Sequence, residues 1–216
     1  LATLWNNRSL ISELIFKLGK RRKWFRSPIL DCVHSGNNVD MNALPLLKSW
    51  PLDGGSFITL PLVYTESVVR KNESNLGMYR VQRHQSNQVG LHFQIGKGGG
   101  YHYQEAEKLG KPLPVTVFIG GPPALTLSAI SPLPEGIPEW LLASFLLGNK
   151  IPYTRHSNTP HMLFSECEFA ISGFAYPHER KDEGPFGDHY GIYSLKHPYP
   201  VCHVHTIYHR KDAIYP

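Results

Sequence analysis

The sequence comprises 216 residues, of which 41% are hydrophobic and 18% are charged, and its net charge is +5. This length and apolar content allow one domain with a substantial core, or one domain and part of another. No apolar run is long enough to span a membrane, and the three widely spaced cysteines contain no CxxC pair, which argues against a cysteine zinc site and a disulfide framework. The cysteines favour a reducing compartment, so we expect a cytoplasmic protein.

Much of the positive charge lies in one run, residues 17–26. A solvated helix end explains this run, and nucleic-acid binding is the alternative interpretation. The neighbouring Trp24 and Phe25 give that alternative too little support, and we predict no nucleic-acid partner.

Two elements are predicted before residue 54. Residues 9–20 have helical spacing of apolar side chains, with Ser9 as the N-cap and Gly19 as the stop. Residues 31–53 are polar and interrupted by proline, which is typical of a connector.

The texture changes after Gly54 and Gly55, where short segments rich in strand formers alternate with a few helical patterns. We predict helices over 101–109, 124–130 and 137–147. The predicted strands cover 57–64, 78–83, 89–95, 113–119, 166–173, 190–195 and 201–209. Many short strands with helices at their margins predict an α+β domain built on a β-barrel or sandwich.

Asn75, His92 and Glu139 are candidate metal ligands, because each lies beside an element boundary or on a predicted strand. An amide oxygen, an imidazole and a carboxylate suit Mn²⁺ or Mg²⁺. The same residue types also occur as ordinary hydrogen-bonding groups, and the spacing alone does not decide between the two.

A second candidate site is the turn between Glu183 and Asp188, whose sequence is Gly-Pro-Phe-Gly. Proline fixes its own φ and glycine allows unusual backbone conformations, so such a turn can hold two acids at a set separation. With Arg80 nearby, one acid would stay charged and the other would carry the proton. A surface salt bridge beside a tight turn is the alternative.

Three further motifs are ambiguous. Residues 97–100, Lys-Gly-Gly-Gly, could cradle a phosphate, but they lack the P-loop ending and the dinucleotide-binding spacing, so we interpret them as a flexible turn between strand and helix. His203 and His205 share a face if they lie on a strand, where they could bind one metal or simply face solvent. Asn7 and Asn72 begin glycosylation sequons, which keeps a secreted glycosylated binding domain as an alternative function.

Five segments, in this order and spacing, resemble the UbiD family of decarboxylases: residues 57–65, 75–80, 120–124, 131–139 and 183–188. The resemblance covers residues 40–216. It implies a split β-barrel, flavin-binding α+β domain with flanking helices. We expect a boundary at residue 53, with residues 1–52 as the remnant of an N-terminal α/β domain and connector, and with the family's C-terminal domain absent.

The resemblance also implies the chemistry. UbiD-like enzymes remove or add CO₂ on aromatic and α,β-unsaturated acids with prenylated FMN, Mn²⁺ and K⁺. Asn75, His92 and Glu139 match the family's metal ligands, and Arg80, Glu183 and Asp188 match its catalytic residues. The residues expected along the cofactor are Met78, Tyr79, Arg80, Ser128, Ala129 and Ser131, the last three beside K⁺.

By this resemblance Arg80 holds the carboxylate, Glu183 positions Arg80, and Asp188 returns the proton. The implied substrate is an aromatic acid such as 4-hydroxy-3-polyprenylbenzoate, whose polyprenyl chain implies contact with a membrane surface. A flavin prenyltransferase would supply the cofactor, and the full-length form would be a homo-oligomer. The chain departs from the family at Ser172, where relatives carry a second acid. A non-catalytic FMN-binding split-barrel module is the alternative function.

Overall fold

The structure is a computed structural model that describes residues 21–94, 96–134 and 136–216. The helix predicted over residues 9–20 lies outside the described residues. Short 3₁₀ turns cover Pro28–Leu30, Gly36–Asn38 and Met41–Ala43. The α-helices of the described residues are α1 (Gly98–Lys108), α2 (Pro123–Ile130) and α3 (Glu139–Leu147). Their strands are β1 (Arg22–Lys23), β2 (Cys32–Ser35), β3 (Phe57–Ile58), β4 (Leu62–Glu66), β5 (Ser74–Met78), β6 (Val81–Gln85), β7 (Gln88–Leu91), β8 (Leu113–Ile119), β9 (Pro152–Thr154), β10 (Leu163–Phe164), β11 (Phe169–Glu183) and β12 (His197–His209).

One nine-stranded sheet dominates, with the order β3-β6-β7-β12-β11-β8-β4-β5 and with β2 paired to β12. Its neighbouring strands run antiparallel. A smaller sheet, β1-β9-β10, lies beside it. The large sheet is open rather than closed into a barrel, and the predicted α+β class is confirmed.

Strand β8 shows why the sheet has a core on both faces. Successive side chains of a strand point to opposite faces. Val115, Val117 and Ile119 enter one hydrophobic cluster, which includes Tyr103 of α1. Phe118 enters the other cluster, with residues of α2 and α3. The helices therefore cover the two faces, and the predicted strand at 113–119 is confirmed.

The predicted helices are confirmed, although α1 begins at Gly98 and so includes the glycines that were interpreted as a turn. Helix α3 ends at Gly148, which adopts a left-handed conformation with φ of 63°. Among the described residues, none of the helices is long and apolar enough to cross a membrane.

Several predicted strands were wrong in extent. The segment predicted as one strand over 57–64 contains two strands, β3 and β4, which residues 59–61 separate. Pro61 has no N–H to donate to a strand ladder. The strand predicted over 78–83 is the end of β5 and most of β6, with Tyr79 and Arg80 between them. Residues 190–195 form no strand, and only a bridge between Gly187 and Tyr193 is present there.

The long strands β11 and β12 extend beyond their predictions, because each continues past a register shift as part of a two-stranded ribbon. This extension carries β11 to Glu183, at the start of the acidic turn. The predicted connector contributes β2 to the main sheet. The domain boundary at residue 53 stays a prediction.

Candidate active site

Arg80 and Glu183 form a bidentate ion pair. Arg80 lies between β5 and β6, and its Nε and Nη2 donate to Oε1 and Oε2 of Glu183 at 2.6 and 2.9 Å. The Glu183 side chain is 0% exposed. Burial acts to raise the pKa of Glu183, but hydrogen bonds from Arg80 and His92 outweigh it and lower the pKa to about 2. Glu183 is therefore an ionised anchor at neutral pH.

Neighbouring side chains fix this pair. Arg80 Nη2 also donates to Ser194 Oγ at 3.2 Å, and the guanidinium lies 4.5 Å from the centre of the Phe186 ring. His92 Nδ1 lies 3.3 Å from Glu183 Oε2, and its ring lies 4.3 Å from that of Tyr199. The two Nη1 hydrogens of Arg80 have no hydrogen-bond partner within the described ranges.

Asp188 has a different environment from Glu183. Its side chain is 40% exposed, and Oδ1 accepts the backbone N–H of His189 at 2.6 Å. His189 Nδ1 also lies 2.6 Å from this oxygen. Within the part of the chain that the structure describes, Asp188 contacts neither Arg80 nor Glu183. The turn thus separates a buried carboxylate from one that is partly exposed to solvent.

The acidic turn is held by side-chain acceptors. Gln82 Oε1 accepts the N–H of Gly184, and Ser194 Oγ accepts the N–H of Phe186. Gly184 has φ of 97°, which favours glycine. Sequence reasoning missed Gln82 and Ser194. The position of Gln82, two residues after Arg80, was the available signal, while that of Ser194 offered none.

A cavity of about 750 Å³ lies beside α1, α2 and β5. Of the residues predicted to contact the cofactor, Met78, Tyr79, Ala129 and Ser131 line it. Arg80 and Ser128 are not among its lining residues: Ser128 is buried and its Oγ donates to the Ala124 carbonyl inside α2. Residues 96–98, before and at the start of α1, also form part of the wall.

Two of the three predicted metal ligands, Asn75 and Glu139, line this cavity. Glu139 Oε2 accepts the N–H of Leu76 at 2.8 Å, which places the carboxylate next to Asn75. Burial raises the pKa of Glu139, and within the described ranges no cationic side chain pairs with it. A cation in the cavity would favour its ionised form, and the oxygens of Asn75 and Glu139 suit a divalent ion.

His92 does not line the cavity but contacts Glu183 and Tyr199. Across the described residues there is no cluster of three His, Cys, Asp or Glu side chains that could hold a metal ion. His203, the other candidate, lies 2.8 Å from Glu179.

Gly98 lies so close to Asn75 that a Cβ there would collide with the amide oxygen, which explains a glycine at this point of the cavity wall.

Comparisons with known proteins identify the family of this chain. Residues 21–216 match the family model of the 3-octaprenyl-4-hydroxybenzoate carboxy-lyase Rift-related domain, UbiD. One of the subunits of a 4-hydroxybenzoate decarboxylase from Chlamydia pneumoniae is 52% identical over 217 residues, covering 100% of this chain and 36% of that protein. The chain therefore spans about a third of the length of that relative.

Two solved structures share the fold. The UbiD-class enzyme HmfF from Pelotomaculum thermopropionicum, in complex with FMN, has a TM-score of 0.86 at 23% identity, over 96% of this chain and 46% of that one. The vanillic acid decarboxylase of Sedimentibacter hydroxybenzoicus, in closed form, also has a TM-score of 0.86 at 23% identity, over 97% and 46%. Because the family model matches residues 21–216, which is nearly the whole chain, the chain belongs to the UbiD family of carboxy-lyases and contains that family's Rift-related domain.

Proposed function

We propose that the complete protein catalyses the non-oxidative decarboxylation or carboxylation of an aromatic carboxylic acid with prenylated FMN, Mn²⁺ and K⁺. The observation that carries the proposal is the buried Arg80–Glu183 pair. Family membership supports the reaction class, and the HmfF structures with FMN and prenylated FMN support the cofactor. The 4-hydroxybenzoate decarboxylase of Chlamydia pneumoniae supports a hydroxybenzoate, for which 4-hydroxy-3-polyprenylbenzoate is our candidate.

In this proposal Arg80 binds the substrate carboxylate. Its Nε and Nη2 are directed to Glu183 and Ser194, which leaves the Nη1 hydrogens for a ligand. Glu183 fixes the plane of the guanidinium and stays ionised, so it does not supply the proton. When bound, the prenylated flavin supplies the electron acceptor for the carbon that loses CO₂.

Proton return is assigned to Asp188. Its carboxyl is partly exposed and can be reprotonated from water after each turnover. The hydrogen bond from the His189 backbone fixes the orientation of its Oδ1. Separate environments for two acids are the usual basis for separate roles in acid–base catalysis.

The cavity is assigned to the flavin and its ions. Asn75 and Glu139 would hold the divalent ion through oxygen atoms, and the stretch around Ser128, Ala129 and Ser131 would hold K⁺. Met78 and Tyr79 would lie along the flavin. The predicted role of His92 as a third metal ligand is untested, and its contact with Glu183 leads us to assign it to the Arg80–Glu183 pair instead.

The proposal extends to the surroundings of the complete protein. A flavin prenyltransferase would supply the cofactor, the protein would self-associate, and it would work in the cytoplasm. A polyprenylated substrate is the reason for expecting contact with a membrane surface.

The test is to express the complete protein together with a flavin prenyltransferase and to measure CO₂ release from 4-hydroxybenzoate and its 3-prenylated derivatives. We expect release that Arg80→Ala abolishes. Bound prenylated flavin without release from any aromatic acid would refute the enzymatic proposal and leave the non-catalytic flavin-binding module.

A further inference from the structure

Asp53 joins the connector to the acidic turn. Its Oδ1 accepts the N–H of Gly187 at 2.8 Å, immediately before Asp188, and its Oδ2 accepts the N–H of Trp50 at 2.9 Å. The side chain is 4% exposed. Both carboxylate oxygens are therefore used on backbone N–H groups in a site that water hardly reaches.

The two segments also touch through their backbones. Gly54 N–H donates to the Pro185 carbonyl at 2.8 Å. A Cβ at Gly54 would collide with the Gly184 carbonyl oxygen, and a Cβ at Gly187 would collide with the Trp50 ring. Glycine at both positions is thus required by a close approach, and residues 50–54 and 184–188 are packed as one unit.

The hydrogen bond to Gly187 adds a buried support from a distant segment to the supports that Gln82 and Ser194 supply. Gln82 and Ser194 hold Gly184 and Phe186, near Glu183. On the side of Asp188, the N–H of Asp188 itself donates to the Ile192 carbonyl within the same exposed loop. The Phe186–Gly187 peptide just before Asp188 is held at both ends: Ser194 N–H donates to the Phe186 carbonyl at 2.9 Å, and the buried Asp53, from a distant part of the chain, accepts the Gly187 N–H.

We propose that Asp53 is a positioning residue that sets the location of Asp188 for proton return. The proposal rests on the proposed function, because it takes Asp188 as the proton donor. A misplaced donor slows the chemical step more than it weakens substrate binding. An asparagine at position 53 keeps one acceptor oxygen and turns an N–H₂ group toward one of the two backbone donors, so one hydrogen bond is lost.

The experiment compares Asp53→Asn, Asp188→Asn and the double variant in the complete protein loaded with prenylated FMN. Asp40→Asn is the matched control, since Asp40 also accepts a backbone N–H in the connector, but from Asn42 and away from the turn. We expect Asp53→Asn to lower kcat by about tenfold or more with little change in KM. The double variant should be no slower than Asp188→Asn alone, because Asp53 acts only through Asp188. Multiplied effects in the double variant would overturn the proposal.

A second measurement needs no turnover. Amide hydrogen exchange over residues 184–188 should be faster in Asp53→Asn and unchanged in Asp40→Asn. An inactive wild-type protein would count against the proposed function, whereas unchanged exchange in Asp53→Asn would overturn the role of Asp53. If Asp53→Asn does not fold, Asp53→Ser, which keeps one acceptor in a smaller volume, carries the same comparison.

Discussion

Arg80 and Glu183 lie 103 residues apart in the sequence and are joined by two parallel hydrogen bonds of 2.6 and 2.9 Å. The arginine comes from the corner between β5 and β6, and the glutamate is the last residue of β11. Because Glu183 is fully buried, removing either partner would leave a charge without compensation.

Replacement of Glu183 by Gln should destabilise the protein. The variant leaves the Arg80 guanidinium partly buried without a carboxylate, and breaking such a pair costs about 3–5 kcal/mol. Urea unfolding measures the change in the free energy of unfolding. Glu107→Gln is the control, because Glu107 makes a similar bidentate pair with Arg180 at a more exposed position, where the loss is about 1 kcal/mol or less. Equal losses in the two variants would contradict a special role for burial at Glu183.

The contribution of Glu183 to the free energy of unfolding should decrease as the pH falls. Its folded-state pKa of about 2 lies below the unfolded value of about 4.3. A depressed pKa stabilises the folded state above the unfolded pKa, and this contribution is lost as the pH falls toward the folded pKa. The stability difference between wild type and Glu183→Gln should therefore shrink across this acid range. A difference that stays constant on acidification would show that the charge of Glu183 is not the cause.

His92→Ala should retain the divalent ion and lose activity. The imidazole contacts Glu183 and Tyr199 and does not line the cavity of Asn75 and Glu139. Metal analysis of the purified complete protein gives the bound ion, and flavin absorbance gives the cofactor. Loss of the ion from this variant would restore His92 as a metal ligand.

Glu139→Ala should lose the divalent ion and the flavin together. The carboxylate is half-buried in the cavity wall, and an ion held there would bridge it to the phosphate of the cofactor. Glu179→Ala is the control, since Glu179 pairs with His203 outside the cavity. Flavin retained at the wild-type level after metal loss in Glu139→Ala would refute the bridging role.

Local sequence patterns were sufficient to predict those strands and helices that show such a pattern. The apolar run of β8 predicted a buried strand, and Pro138 and Gly148 marked the two ends of α3. The strand assigned to residues 190–195 was wrong because its apolar side chains are exposed, as in Tyr190 and Ile192, and form no ladder. Composition did not reveal that this segment is a loop.

The candidate site likewise combines features that the sequence predicted with features that it did not. Arg80, Glu183 and Asp188 were identified through a resemblance, whereas the placement of His92 beside Glu183 depends on the pairing of β6, β7 and β12. Asp53 was interpreted as part of a polar connector. Its hydrogen bond to Gly187 depends on the close approach of residues 50–54 and 184–188, which spacing along the chain does not encode.

The two-stranded ribbon where β11 ends and β12 begins carries Glu183, one partner of the Arg80–Glu183 ion pair. Beyond the register shift, residues 180–183 of β11 pair only with residues 197–200 of β12. This tip of the ribbon is therefore not part of the larger sheet that supports the rest of both strands. Arg80, in the corner between β5 and β6, binds this tip through Glu183. The tip of the ribbon and the carboxylate-binding arginine therefore fix each other's position, so a change in the pairing of β11 and β12 would be felt at Arg80.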